Sequence, residues 1–580
     1  MKKIHILLIT GLALTFSGCD FLDKVPEDVI VTDKFFSSAD AAALEQYCNG
    51  LYPNLIQGHG DPQTYTYGMM ERELQSDNMY PWDKNDISFG HQTAPTEAKD
   101  TEWKWENIRT CNNFLQNYKR SPVSETVKNR YAGEILFFKC MDYFNKVRTY
   151  GDVPWYEEVL SPGDPDLYKG RDPRTLVMDN VLRDINQAIR WLPVKTAVSK
   201  VSKDAALALK ARMCLYEGTW RRYHGMEGDV KFLEAAYEAA GELMKPEYGY
   251  ALFRGSAPSK AYYELFIQAD YNNNSEVILS KEYEPAKGKG NNLTRQIYAG
   301  EAPIGMSKDC ADDYLCATTG KPISMCGCEG HTRHTTFIAE LNNRDPRLLQ
   351  TIPTPEAGPY TYYLGGKRPA IGKVVAGNHG TSSTGYCIIK YYNPGEYSAA
   401  HHQGTLDAPV FRFAEILLVR AEAGAELGKD PQLDLTVNAL RDRVGFSHHL
   451  SSSPEVDPKL VDEYPDVKGN NATLIREIRR ERRVELFGEG YRYDDLMRWA
   501  CGPNLAKHKA GMIPDPTLYT QEEMNKLNTE LGTYGDGSLD IYGKRVQSPA
   551  VFTNPKHYLF AIPLNEVSLN PNLEPNNPGW

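Results

Sequence analysis

Past its first eighteen residues the chain has no stretch approaching the about 20 consecutive apolar residues that a membrane-spanning helix needs. A helical route across a bilayer is therefore excluded for its body. It also lacks a positive surplus. The 580 residues carry 65 Lys and Arg against 76 Asp and Glu, a formal net charge of −11, or −13 without Lys2 and Lys3. Phosphate recognition needs a basic face, so this balance argues against nucleic acid as a partner. No HExxH, Gly-rich phosphate loop or nucleophile motif is present. That removes the enzyme classes with a sequence signature. A glycoside hydrolase is not removed, because its paired carboxylates have no fixed spacing.

What is present begins at the N-terminus. Lys2 and Lys3 precede an apolar run from Ile4 to Phe16, the layout of a signal peptide. Phe16-Ser17-Gly18-Cys19 then reads as a lipobox, which makes residues 1–18 the signal peptide and Cys19 the acylated first residue of the mature chain. A plain signal peptide with a chance cysteine is the alternative. Two or three acyl chains, at about 0.8 kcal/mol per buried methylene, suffice for stable anchoring. The expected chain is thus tethered to a membrane without spanning it.

Helical periodicity dominates residues 40–250 and 405–500. "DAAALEQYCNGLYPNL" opens at Asp40, a good N-cap, and stops near Pro53. "PRTLVMDNVLRDINQAIRWLP" puts Val177, Val181, Ile185, Ala188 and Leu192 on one face and ends at Pro193. "SKDAALALKARMCLYEG" and "DVKFLEAAYEAAGELMK" form a pair whose small Ala205, Ala206, Ala208 and Ala211 permit close approach. The predicted fold is mainly α: a tetratricopeptide-like helical repeat scaffold of about four helix pairs, although the full 34-residue consensus is absent. Residues 250–404 form a loop-rich insert with isolated strand-like pieces, "SEVILSKEY" and "YCIIKYY". This insert is expected to pack on the scaffold rather than fold alone, giving one domain over 19–580 with a C-terminal segment at 501–580.

Five stretches carry a resemblance. They are "FRFAEILLVRAEAGAELG" (411–428), "IREIRRERRVELFGEGYRYDDLMRW" (475–499), "HYLFAIPLNEVSLNPNLEPNNPGW" (557–580) and, near the front, Cys19-Asp-Phe-Leu-Asp with "YGDVPWY" (150–156). Together they resemble the SusD/RagB family of outer-membrane nutrient-binding lipoproteins. The resemblance implies tetratricopeptide-like helix pairs and a place on the cell surface, capping a SusC-like TonB-dependent transporter. It also implies capture of an oligosaccharide for import, or of a peptide in RagB-like members, without catalysis or cofactor. Within the motifs, Ile475, Ile478 and Leu486 form an apolar stripe that also carries Arg482. A buried guanidinium needs a carboxylate, and Glu415 or Glu422 on the other motif helix are the expected partners.

A sugar presents C–H faces ringed by hydroxyls, so its site wants aromatic platforms beside polar groups. "YTYGMMERELQSDNMYPWDKND" (65–86) offers Tyr65, Tyr67, Tyr80 and Trp82 with Asp77 and Asn78, outside the clear helices. Tyr298, Arg295 and Tyr314 are the candidates for a second wall. Trp103 and Trp105 rank lower, because Trp105 falls on an apolar helix face. Cys310, Cys316, Cys326 and Cys328 are read first as two disulfides tying an exposed loop; Cys326 and Cys328 are too close to pair with each other. A zinc site with His331 or His334, or free thiols, are the other readings, and no metal is assigned. Asp536, Ser538 and Asp540 of "DGSLD" are oxygen donors that suit calcium, but an Asp-Gly turn is the simpler reading.

Overall fold

The computed structural model describes residues 32–60, 66–195, 197–299, 303–333, 336–353, 373–374, 382–395 and 401–580. Helix α1 (Ala41–Asn49) starts where Asp40 accepts the Ala43 N–H at 2.9 Å, a side-chain cap for an otherwise orphaned donor. The chain continues through α2 (Glu106–Asn117), α3 (Glu125–Tyr150), α4 (Arg174–Trp191), α5 (Lys203–Tyr223) and α6 (Asp229–Leu243). Each of α2 to α6 packs on the next. After the insert come α7 (Phe413–Leu427), α8 (Val437–Arg443), α9 (Ala472–Glu485) and α10 (Arg492–Arg498). α7 packs on α6, α8 and α9, so the repeat stack resumes across the insert. The protein is mainly helical, with helix pairs of the tetratricopeptide type.

Small residues set the closest contact. Ala205, Ala206, Ala208 and Ala211 of α5 are wholly buried. A Cβ on Gly218 would fall 2.8 Å from Leu233 Cγ and 2.9 Å from its backbone nitrogen, so α6 can lie this near α5 only over a glycine.

Strands are few, short and antiparallel. β1 (Met79–Pro81) pairs with β3 (Ile304–Met306), β2 (Val277–Lys281) with β4 (Ala408–Arg412), and β5 (Gly532–Thr533) with β6 (Leu539–Asp540). β2 lies within the expected "SEVILSKEY". "YCIIKYY" is not a strand. Its Tyr386 carbonyl accepts from Met306, its Ile389 N–H donates to Thr351, and Tyr391 takes φ +65°, so no ladder can run along it.

Among the described residues three apolar clusters result, the smallest formed by Tyr80, Phe89, Ile541 and Tyr542, beside two large cores. One fills the helix stack; the other joins insert residues such as Tyr262, Phe266 and Tyr314 to Met70, Met79, Val484 and Phe487. Buried ion pairs stitch the two together. Arg412, at the end of β4, reaches Glu276, Glu485 and Glu489 at 2.8, 2.8 and 2.6 Å. Arg347 of the insert reaches Glu481 and Glu485. Burial pushes the Glu485 carboxyl up, but Arg443, Arg412 and Arg347 outweigh it and hold it well below the usual carboxylate range.

Arg482 is buried as expected, but its partner is neither Glu415 nor Glu422. Its Nε donates to Asp495 at 2.7 Å. Glu415 is taken by Arg212 (2.7 and 2.8 Å) and Glu422 by Arg498 (2.5 and 2.7 Å). The reason is local: α10 follows α9 after a short turn and folds Asp495 back against it, while α5 and α10 supply the cations for α7.

Candidate functional site

The structure splits the predicted ligand residues. Asp77 is buried, accepting from Arg492 Nε and Nη2 at 2.7 Å each. Burial would raise its carboxyl, yet Arg483 and Arg492 prevail and hold it at about 2. Asn78 is buried beside it, donating to Glu73 at 2.8 Å and accepting from Arg483 at 2.7 Å. Tyr80 is 3% exposed in β1, its ring 6.3 Å from that of Tyr542 with the Lys509 ammonium 5.1 Å from its centroid. Tyr67 and Tyr314 are buried in the second core. Tyr67, Asn78 and Tyr314 are packing and ion-pair residues, while Asp77 and Tyr80, though buried, border a cleft of about 660 Å³ with Asp309, Asp312 and Tyr534. Pairing with β3 and cover from the C-terminal segment draw the loop inward, and a count of polar and aromatic residues cannot register that. Arg295 is half-buried. Tyr65 and the side chain of Tyr298 lie outside the described residues.

Trp82 remains. It leaves β1 with its N–H bonded to the Pro303 carbonyl at 2.8 Å and rests partly against the second core. The Arg545 guanidinium lies 3.7 Å from its ring centroid, a cation–π stack. Asp83, whose side chain is 99% exposed, is 3.6 Å from Arg545 Nη2. Beside this stack opens a groove of about 430 Å³, lined by Asp83, Lys84, His91, Arg545, Gln547 and Ser548. The His91 ring is held 3.0 Å from the Pro549 carbonyl. Of the stacked pair, Arg545 lines the groove and Trp82 lies behind it, next in sequence to the lining residue Asp83; the rim holds a carboxylate, an ammonium, an imidazole, an amide and a hydroxyl. Such a rim can donate to and accept from a polyhydroxylated ligand. Sequence reasoning missed Arg545 and Gln547, which come from the opposite end of the chain and carry no local signal.

A larger cleft, about 860 Å³, runs between α2 and the C-terminal segment, with Trp105, Arg109, Tyr156, Tyr168 and Leu569 in its walls. Trp103 is buried, and Trp105 meets both Trp103 and Tyr156 edge-on at 5.5 Å, so much of the indole surface is spent internally. Tyr168 is the open aromatic, at 55% exposure.

The expected pair of disulfides is absent among the described residues. Cys310 lies in the helix Lys308–Asp312, buried in the second core, because its turn is capped by Ser307 and faces inward. Cys316, Cys326 and Cys328 gather instead around His331. His334 lies outside the described residues. The Asp536-Gly537 pair forms a turn between β5 and β6, with Gly537 at φ +88° and the Asp536 carboxylate accepting from the Ser538 N–H and hydroxyl.

Two family models match the chain. One described as the SusD family matches residues 260–580, and one described as starch-binding, associating with outer membrane, matches residues 20–215. The starch-binding protein SusD of Bacteroides thetaiotaomicron is 24% identical over 477 residues, 76% of this chain and 78% of that protein. A solved SusD-like carbohydrate-binding protein from Bacteroides fragilis superposes with a TM-score of 0.73 at 23% identity, covering 93% of this chain and 100% of the other. A laminarin-binding SusD-like protein gives 0.58 at 19% identity, covering 94% and 100%. At these identities the structural likeness is one of fold.

Proposed function

The chain belongs to the SusD family, and from that premise we propose that it binds a glycan at the cell surface without catalysing a reaction on it. Three further expectations belong to the proposal: acylation of Cys19, a place on the outer membrane, and delivery of the captured oligosaccharide to a SusC-like TonB-dependent transporter. The N-terminal match is to a family described by starch binding and outer-membrane association. Relatives with this fold are named for binding starch and laminarin, which supports the ligand class.

The observation that carries the reading is the Trp82–Arg545 stack at the edge of the polar groove. With Arg545 stacked on one indole face, a sugar would meet the guanidinium that lines the groove and the exposed part of Trp82, and the rim offers partners for hydroxyls. A platform contributes on the order of 1 kcal/mol, so two or three contacts alone fall short of the about 4 kcal/mol of a millimolar complex, and the polar rim has to supply the rest and offset the association costs.

Affinity gels with a panel of polysaccharides, followed by calorimetry, test this. Trp82→Ala is expected to weaken binding by about 1–2 kcal/mol, and Arg545→Ala to weaken it as well. Because Trp82 is half-buried, its variant is also expected to lose about 1–2 kcal/mol of stability, so the binding measurement belongs well below its melting temperature. Full affinity in both variants would move the glycan site elsewhere. Retardation by no polysaccharide, with binding of peptides, would replace the ligand class. Reducing-sugar release in the same samples would overturn the non-catalytic reading.

A further inference from the structure

Cys316, Cys326, Cys328 and His331 each present one ligand atom, and the four atoms lie within 4.8 Å of one another. Cys316 Sγ and Cys328 Sγ are 3.7 Å apart, and Cys326 Sγ is 3.2 Å from His331 Nδ1. A tetrahedral zinc, with Zn–S of about 2.3 Å and Zn–N of about 2.0–2.1 Å, sets S···S edges of about 3.8 Å and S···N edges of about 3.5 Å. A disulfide needs about 2.05 Å between sulfurs. The sulfurs are too far apart for a covalent bond, and the four atoms are close enough for small side-chain shifts to place them around one metal ion.

The surroundings agree. His331 is buried, and its Nε2 lies 2.8 Å from the Asn342 carbonyl oxygen. A carbonyl only accepts, so Nε2 carries the proton and Nδ1 turns its lone pair toward the sulfurs. This outer hydrogen bond is the usual way to fix a metal-binding imidazole. Gly327, between two of the cysteines, takes φ +71°, which reverses the chain so that both sulfurs face one point. The Cys328 N–H points at Cys326 Sγ, 3.4 Å away. Cys316 is fixed from the other side. It bridges Arg344 as an isolated β-pair, its N–H donates to Lys321, and the next N–H, of Ala317, donates to Asn343.

We propose that Cys316, Cys326, Cys328 and His331 form a tetrahedral Cys3His zinc site that closes the 316–331 loop onto the segment 342–344. With four protein ligands and no open position the site is structural, and three sulfurs with one imidazole suit zinc among divalent ions. On binding, each thiol releases its proton to solvent as its sulfur bonds to the metal, leaving the site with one net negative charge. This inference is independent of the glycan reading.

The test uses the purified full chain, reduced and then loaded with zinc or cobalt alone. Elemental analysis is expected to find one zinc per chain. Cobalt is expected to give tetrahedral d–d bands and a sulfur-to-cobalt charge-transfer band scaled to three thiolates. Cys326→Ser and His331→Ala should lose the metal, whereas Cys310→Ser and Cys387→Ser should keep it; circular dichroism checks that each variant is folded. The wild-type cobalt spectrum decides the matter even if a variant fails to fold. Substoichiometric metal in the reduced wild type, an octahedral cobalt spectrum, or equal loss in Cys310→Ser would overturn the proposal. So would a Cys316–Cys328 disulfide that is recovered in the native protein and that re-forms in place of metal binding.

Discussion

Asp77 and Arg492 form a two-armed ion pair, 2.7 Å at each arm, across 415 residues of sequence. The pair fixes the loop before β1 to the first turn of α10. Arg483 joins it, and the Asp77 carboxyl is held at about 2. We predict that Asp77→Ala lowers stability by about 3–5 kcal/mol, since it leaves a buried guanidinium short of its carboxylate. Because the folded value lies below the unfolded one, the contribution is complete above about pH 4 and is lost as pH falls toward 2. Denaturant melts at pH 7 and pH 3 check both parts; equal wild-type and variant stability at pH 7 would refute the assignment.

Arg482 is coupled to Asp495, and the measurement that isolates the pair is a double-mutant cycle. Arg482→Ala alone should cost about 3 kcal/mol, near the low end for a broken buried pair, because Asp495 keeps Arg498 at 2.9 Å. The cycle with Asp495→Ala should give an interaction energy of about 1–3 kcal/mol, and the cycle with Glu415→Ala close to none. The reverse ordering would restore Glu415 as the partner.

Glu73 gives a pH effect of opposite sign. Burial raises its carboxyl to about 7, despite the hydrogen bonds it accepts from Asn78 (2.8 Å) and the Gly490 N–H (2.9 Å). A folded value above the unfolded one means the contribution is complete below about pH 4.5 and is lost as pH rises through about 7. The wild type should therefore lose roughly 3 kcal/mol relative to Glu73→Gln across that window, at about 1.4 kcal/mol per pH unit. Unfolding free energies of both proteins at half-unit steps will show the divergence; parallel curves would mean Glu73 is ionised throughout.

Cys19→Ala should leave the protein unlipidated and free of membranes. Its folded body should be unchanged, because the described helices begin after it, at Thr32. Fractionation after a high-salt wash is the measurement. Retention of the variant in the membrane pellet would contradict an acyl anchor.

Helices were legible in the sequence because their signals are local. Asp40 caps the helix that follows it, the apolar period of 177–192 matches the buried face of α4, and the alanines of α5 are buried as their pattern predicts, although the close approach to α6 is made over Gly218. Family membership was legible for the same reason, since the motifs at 411–428, 475–499 and 557–580 are contiguous. The strand expected at "YCIIKYY" failed because a strand is made by its partner, and this segment spends its hydrogen bonds on Thr351 and Met306.

Everything that depends on long-range pairing was decided by the tertiary structure. Asp77 and Asn78 look available in a polar loop, yet Arg483 and Arg492 claim them from the far end of the chain. Trp82 was identifiable as an aromatic in that loop, but its stacking cation, Arg545, was not. The cysteine spacing announced a cluster, while the exchange of Cys310 for His331 depended on which side chains the folded insert turns inward. A sequence carries its periodicities and caps within a few residues; which charge meets which, and which sulfur meets which nitrogen, is fixed only when distant segments are brought within bonding distance.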